Sequence, residues 1–242
     1  MFRSTVNLSV KSALAISATA LSMMSSLQAA ELDITVQNLT QGIYFTPILV
    51  SAHSVDASLF ELGATASTEL QAMAEGGDIS GLVSLTDSLS ANNLINPAQG
   101  LLAPAQSAAG MLSTDDGNAV LSIVAMMLPT NDGFIGLDNW AIPSEAGTYT
   151  VYLNAYDAGT EANDEVRGSG MPGMAGFPVP GPLAPLLGEG GTGLDATIAN
   201  ATVHIHPGNI GDDNESGGVS DVNNTVQRWL NPVAKVTIVI SE

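Results

Sequence analysis

Ala119-Val-Leu-Ser-Ile-Val-Ala-Met-Met-Leu128 is almost continuously apolar, and Asn118 and Pro129 bound it on either side. Ten residues suit a strand better than a buried helix, and Val120, Ile123 and Val124 are β-branched. We read it as a buried strand. On either side of it lie segments that alternate polar and apolar. Glu31-Leu-Asp-Ile-Thr-Val-Gln37 and Thr148 to Ala155 alternate cleanly, as half-buried strands do. Ile43 to Ser54, Thr197 to Ile205 and Ala234 to Ile240 read as further strands, with Asn38 to Gly42 as the turn after the first. Strands separated by Gly, Pro and Asn loops predict an all-β fold, an antiparallel β-sandwich.

Helical signal is confined to one block. Ala66-Ser-Thr-Glu-Leu-Gln-Ala-Met-Ala-Glu75 holds good helix formers, and Gly76-Gly77 stops it. Ile79 to Leu89 is a weaker helix, and Asn92 to Gly110 reads as loop with a single helical turn. The expectation is a small helical insertion at about residues 57–113, packed on the sheet. Residues 167–193 contain nine Gly and five Pro among 27, a density that leaves no regular element. From this loop Met171, Met174 and Phe177 are candidates to touch the core.

The N-terminus reads as a signal peptide over residues 1–30. Arg3 and Lys11 supply positive charge, Ser12 to Met24 is an apolar stretch too short to span a bilayer, and Ala29 and Ala30 offer a cleavage site. The expected mature chain is residues 31–242, exported to the periplasm or the extracellular space. Its removal takes away two bases and no acid, so the net charge falls from −19 to −21. Such a chain excludes nucleic-acid binding through the phosphate backbone and disfavours anionic membranes. The 45 % apolar content excludes an acidic disordered chain. With no cysteine, disulfides and thiolate chemistry are excluded as well.

Seven acids fall between Asp132 and Glu165 with no base among them. With Thr148 to Ala155 as a strand, all but Glu145 crowd into two loops, Asn131 to Trp140 and Tyr156 to Arg167. Antiparallel strands could put the loops at opposite ends, and a crossover would bring them together. If they meet, Asp132, Asp157 and Glu161 repel one another, and a hard cation such as calcium would relieve that repulsion. Solvated, turn-forming acids are the plain alternative.

These loops also carry a family likeness. Pro129-Thr-Asn-Asp-Gly-Phe-Ile-Gly-Leu-Asp138 followed by Tyr156-Asp-Ala-Gly-Thr-Glu161 resembles the spondin domain family, known from the N-terminal module of F-spondin. Thr46 to Gly63 with His53 and Leu59-Phe60-Glu-Leu-Gly63, the Ala66 to Glu75 helix, and Arg228-Trp-Leu-Asn-Pro-Val-Ala-Lys-Val-Thr237 agree with its bacterial relatives. The resemblance implies a C2-like sandwich with calcium held by loop carboxylates. They match Asp132, Asp157 and Glu161, the last being Glu where animal members carry Asp. It also implies a non-enzymatic module that binds a protein or glycan partner at the cell surface or in a matrix. The polyanion binding of the animal proteins does not carry over to a chain with so few bases.

Other constellations are weaker. His204 and His206 share a face of their strand and could hold a transition metal, with His53 as the single further imidazole. Gly211 to Gly217 begins like a calcium loop, but Asn223 stands where a Glu would be needed. No nucleophile elbow, zinc-protease motif or phosphate loop is present. The alternative function is a metal-dependent or carboxylate hydrolase using the acidic loops or His204 and His206.

Overall fold

The computed structural model describes residues 29–241. The stretch read as a signal peptide therefore lies outside the described residues, save for its last two. Among those described, no helix is long and apolar enough to cross a membrane.

The chain begins with β1 (Glu31–Asn38), β2 (Tyr44–Phe45) and β3 (Leu49–His53), then two helices, α1 (Thr68–Gly76) and α2 (Ser80–Ser88). Next come β4 (Asn92–Ile95), β5 (Ser107–Ser113), β6 (Val120–Leu128), β7 (Gly133–Ala141) and β8 (Gly147–Asp157). The remainder holds β9 (Arg167–Gly168), β10 (Phe177–Pro178), β11 (His204–Ile205) and β12 (Ala234–Ser241). The main strands are ordered β4-β3-β6-β7-β8-β12-β1-β5, with antiparallel neighbours throughout.

Strand β8 belongs to two layers. Its last residues, Asn154 to Asp157, pair with β7, while Gly147 to Leu153 pair with β12. The chain of strands thus folds over at β8, and the layer β12-β1-β5 faces the layer β3-β6-β7. The edge strands β4 and β5 meet on the far side, where Gly110 lies against Leu94. The fold is the expected all-β antiparallel sandwich, nearly closed on itself.

The run Val120 to Leu128 is wholly buried, and its two faces serve different cores. Leu121, Ile123, Ala125 and Met127 pack between the layers with Ile34, Val36, Val236 and Ile238. Val124, Met126 and Leu128 point the other way, towards Leu70, Met73 and Leu82 of the helices. A strand covered on both sides has no solvent face to make polar, which is why it does not alternate. Helix α1 is framed as its sequence suggests. Ser67 caps its first turn by accepting from the Leu70 N–H at 3.1 Å, and Gly77 closes it in the left-handed region at φ 72°.

Four expectations need correction, and a fifth concerns the Gly- and Pro-rich segment. The helical insertion drawn over residues 57–113 is helical only as far as Ser88, because Asn92–Ile95 and Ser107–Ser113 are strands. Neither segment is rich in β-branched residues; β5 owes its strand to β1, which it pairs from Glu31↔Ser113 to Gln37↔Ser107. Ile43 to Ser54 is two strands rather than one, interrupted around Pro47, which has no N–H for a ladder. Thr197 to Ile205 is a strand only at His204–Ile205, since Val203 bonds back to Gly63 and Ala64 and turns the chain aside. Lastly, Asn131 to Trp140 is not an acidic loop: Gly133–Ala141 is strand β7. Residues 167–193 do hold regular elements, since β9 and β10 pair in parallel and Ala184–Leu186 forms a 3-10 turn; Phe177 is buried there, whereas Met171 and Met174 are exposed.

Gly136 shows what a glycine does inside β7. A Cβ there would lie 2.7 Å from both the Phe60 and Tyr156 rings. We expect Gly136→Ala to cost about 1–3 kcal/mol in denaturant unfolding, as overpacked cores do. An unchanged midpoint would show that the rings are free to move apart.

Candidate metal centre

The register of β7 and β8 decides whether the acid loops meet. Gly133 stands opposite Asp157, so the start of β7 lies beside the end of β8. The Ala158 N–H donates to the Asp132 carbonyl at 3.1 Å and draws the two ends together. Asp132 and Asp157 are both buried there. Antiparallel pairing suffices and no crossover is needed, because Asp132 precedes its strand instead of following it. Asp138 lies further along β7, accepting from Ser58 at 2.9 Å.

The hydrogen bonds around the acids are unequal. Asp132 Oδ2 accepts from the Thr160 N–H at 2.7 Å, the Glu161 N–H at 3.0 Å and the Thr160 hydroxyl at 3.2 Å. Its Oδ1 is buried without a partner. Asp157 accepts from the Gly159 N–H at 2.8 Å and from Asn163 Nδ2 at 2.7 Å. Glu161 Oε1 accepts from Asn131 Nδ2 and from the Gly176 N–H. Asn131 also donates to Asp164 at 2.7 Å and accepts from the Glu165 N–H at 3.1 Å, tying the loop after β8 to the start of β7.

Burial, and then the charge of Asp157, push the Asp132 carboxyl up to about 7 against these hydrogen bonds. Burial does the same to Glu161, also up to about 7, with Glu75 and Asp164 adding repulsion. A cation beside Asp132 and Asp157 would compensate a buried charge and an unpartnered oxygen together, so this pair fits one. Glu161 is turned towards Asn131 and the Gly-rich segment. Among the described residues, no three His, Cys, Asp or Glu side chains stand close enough to share an ion. Any calcium here would draw most of its six to eight oxygens from carbonyls and water.

The Spondin_N family model matches residues 37–168, just over half of the chain. The chain belongs to the spondin N-terminal domain family. No curated protein matches it. The family is one of extracellular, matrix-type, non-enzymatic modules. The matched segment of this spondin domain runs from the end of β1 through β9 and contains Asp132, Asp157 and Glu161.

His204 and His206 lie beyond the matched segment, and both come close to Asp157. His204 Nδ1 is 2.8 Å from the Thr202 carbonyl, so it carries a proton there, and it lies 3.7 Å from Asp157 Oδ1. His206 is buried, its ring centroid 5.1 Å from that of Trp229. Its Nδ1 accepts from the Gly208 N–H at 3.0 Å, which leaves the proton of the neutral ring on Nε2. That nitrogen then has no lone pair for a metal. Burial chiefly lowers the imidazole to about 4, keeping it neutral.

A nucleophile-like pair also appears. Ser122 Oγ is 2.8 Å from His53 Nε2, and His53 Nδ1 is 2.9 Å from the Ser54 carbonyl. Asp138 Oδ1 lies 3.3 Å from the same hydroxyl. Ser122 is 0 % exposed and His53 1 %, so no substrate reaches them. They satisfy an irregularity between β6 and β7, where the Asn139 N–H donates to Ser122 at 3.1 Å. Two acids of residues 211–221 serve loops as well. Asp212 accepts from the Asn214, Val219 and Ser220 N–H groups, and Asp221 from those of Gly191 and Arg167. Sequence reasoning found Asp132 and Asp157 but missed Asn131 and Thr160, which organise them.

Proposed function

We propose that this spondin domain is an exported, calcium-binding β-sandwich module that docks a protein or glycan partner at the cell surface or in a matrix. One observation carries the metal: the buried, unpartnered Oδ1 of Asp132 beside the buried Asp157. Calcium suits the site better than magnesium, because it tolerates the irregular geometry of two loops and takes carbonyl oxygens readily. Asp132 and Asp157 would hold the ion, which would supply positive charge and join the start of β7 to the loop after β8. Asn131 would keep Glu161 and Asp164 gathered at its edge. The export part of the reading rests on the signal-like residues 1–30 and on the family.

Unfolding of residues 31–242 in EDTA, in calcium and in magnesium tests the metal. A ligand at 100 times its Kd adds about 2.7 kcal/mol, or a rise of roughly 5–10 °C in Tm for a chain of this size. We expect that rise with calcium. Asp157→Asn is expected to lose it while changing little in EDTA, since Asn keeps an acceptor for the Gly159 N–H and Asn163 can turn its amide over. Equal loss in both buffers would make Asp157 a turn residue and sink the calcium site.

A further inference from the structure

The segment Arg228 to Val233 is pinned at alternate positions. Trp229 packs against His206 and the main core. Asn231 Oδ1 accepts from the Ala155 N–H at 2.7 Å, taking the place of a strand partner. The Val233 N–H donates to the Leu153 carbonyl at 2.9 Å, and the Val233 carbonyl accepts from the Leu39 N–H at 2.9 Å. Between these anchors Leu230 is 89 % exposed, and Arg228 is exposed as well. Packing explains Trp229, Asn231 and Val233 but neither of these two.

Leu230, Leu39, Trp229 and Pro232 form the apolar wall of an open groove of about 490 Å³, completed by Thr40, Gln41 and Arg228. That volume lies in the range of roughly 300–1,000 Å³ typical of ligand sites. Arg228 is the one charged residue in the lining. Among the described residues it makes no salt bridge, in a chain with 24 acids and five bases. The other basic residues beyond residue 30 lie outside this lining. Arg167 donates to the carbonyls of Ala184, Leu187 and Gly188, and Lys235 lies on β12 opposite Tyr152 and Gln37.

An apolar groove with a cation and no acid fits an apolar group that carries one negative charge. A net charge of −19 repels acidic protein surfaces, anionic bilayers and a second copy of this chain. A ligand with a single carboxylate avoids most of that repulsion and still meets Arg228. Gln41 brings an amide that can pair with another amide, which an alkyl chain lacks. We propose that this groove binds the C-terminal end of a polypeptide, with an apolar last side chain against Leu230, Leu39 and Trp229 and the free carboxylate on Arg228. This deepens the docking part of the reading above and does not depend on calcium.

The test is a titration of the 31–242 chain with acetyl-Leu-Leu bearing a free carboxylate, followed by the Trp229 indole N–H signal in NMR. Its C-terminal amide and octanoate are the comparison ligands. We expect saturable binding of the free acid and about tenfold weaker binding of the amide, since a charge-assisted hydrogen bond is lost. Arg228→Gln should bind the acid about tenfold more weakly at unchanged Tm, for the same reason. Leu230→Ser should weaken acid and amide alike, and Lys235→Gln neither. Equal binding of acid and amide, no saturation, or octanoate binding as tightly as the peptide would each overturn the proposal. Repeating the titration in EDTA and in calcium separates the two readings: loss of the calcium-induced Tm rise sinks the metal site, and loss of the titration sinks the groove.

Discussion

In EDTA, Asp132→Asn is expected to be more stable than the wild-type spondin domain at pH 8, and in millimolar calcium less stable. Burial and Asp157 raise the Asp132 carboxyl from 3.8 to about 7. The native state thus binds this proton more tightly than the unfolded chain does. The resulting stability is complete below the unfolded value and is lost as pH rises through about 7. Three units correspond to about 4 kcal/mol as an order of magnitude, and the residue is fully buried, so solvent screens little of it. Asn presents an acceptor to the Thr160 and Glu161 N–H groups and an uncharged group where Oδ1 was bare. The variant should therefore escape the loss.

His206 works in the opposite direction. Its imidazole is lowered to about 4, so its share of stability is present above the ordinary 6.5 and lost as pH falls towards 4. The two effects offset one another in mild acid, and the wild-type profile alone is shallow there. The difference between wild type and variant removes His206 from the comparison. Urea unfolding across pH 4 to 8 should show the gap between the two widening with pH in EDTA and changing sign in calcium. A gap that stays constant across that range would mean Asp132 carries no costly buried charge.

The legible and illegible parts of this chain differ for physical reasons. Val120 to Leu128 was readable because burial on two faces leaves a continuous apolar run, and β1, β8 and β12 because burial on one face leaves alternation. Strand β7 was not, because its glycines and Asp138 read as turn residues. Gly136 is there to admit the Phe60 and Tyr156 rings, a requirement set by residues far away in sequence. Strands β4 and β5 lack β-branched runs and take their conformation from their neighbours. At the site, Asp132 and Asp157 stood out as charges in a basic-free stretch. Asn131 and Thr160 did not, since amides and hydroxyls are common in loops and only the β7–β8 register shows what they touch. The His206 tautomer depends on the Gly208 N–H, and no spacing rule reveals that bond.

Phe134→Ala is expected to remove about 3–5 kcal/mol of stability, the usual cost of an aromatic truncated in a core. Phe134 is fully buried, with the Phe60 ring edge-on at 5.2 Å and the Tyr156 ring at 5.7 Å. Phe60 and Tyr156 also touch, at 5.1 Å, so the three rings form one layer beneath the helices. Removing the middle of that layer leaves a cavity that Gly136, having no side chain, cannot fill. Phe134→Leu, closer in volume, should cost under about 1.5 kcal/mol if the rings repack around it. Phe134 lies two residues after Asp132, and the calcium-induced rise in Tm then becomes informative. We expect the rise to survive in Phe134→Ala, because Asp132 is held by the N–H groups of Ala158, Thr160 and Glu161 rather than by the ring. A variant that is destabilised and also blind to calcium would show that the aromatic layer, through β7, fixes where the carboxylates stand.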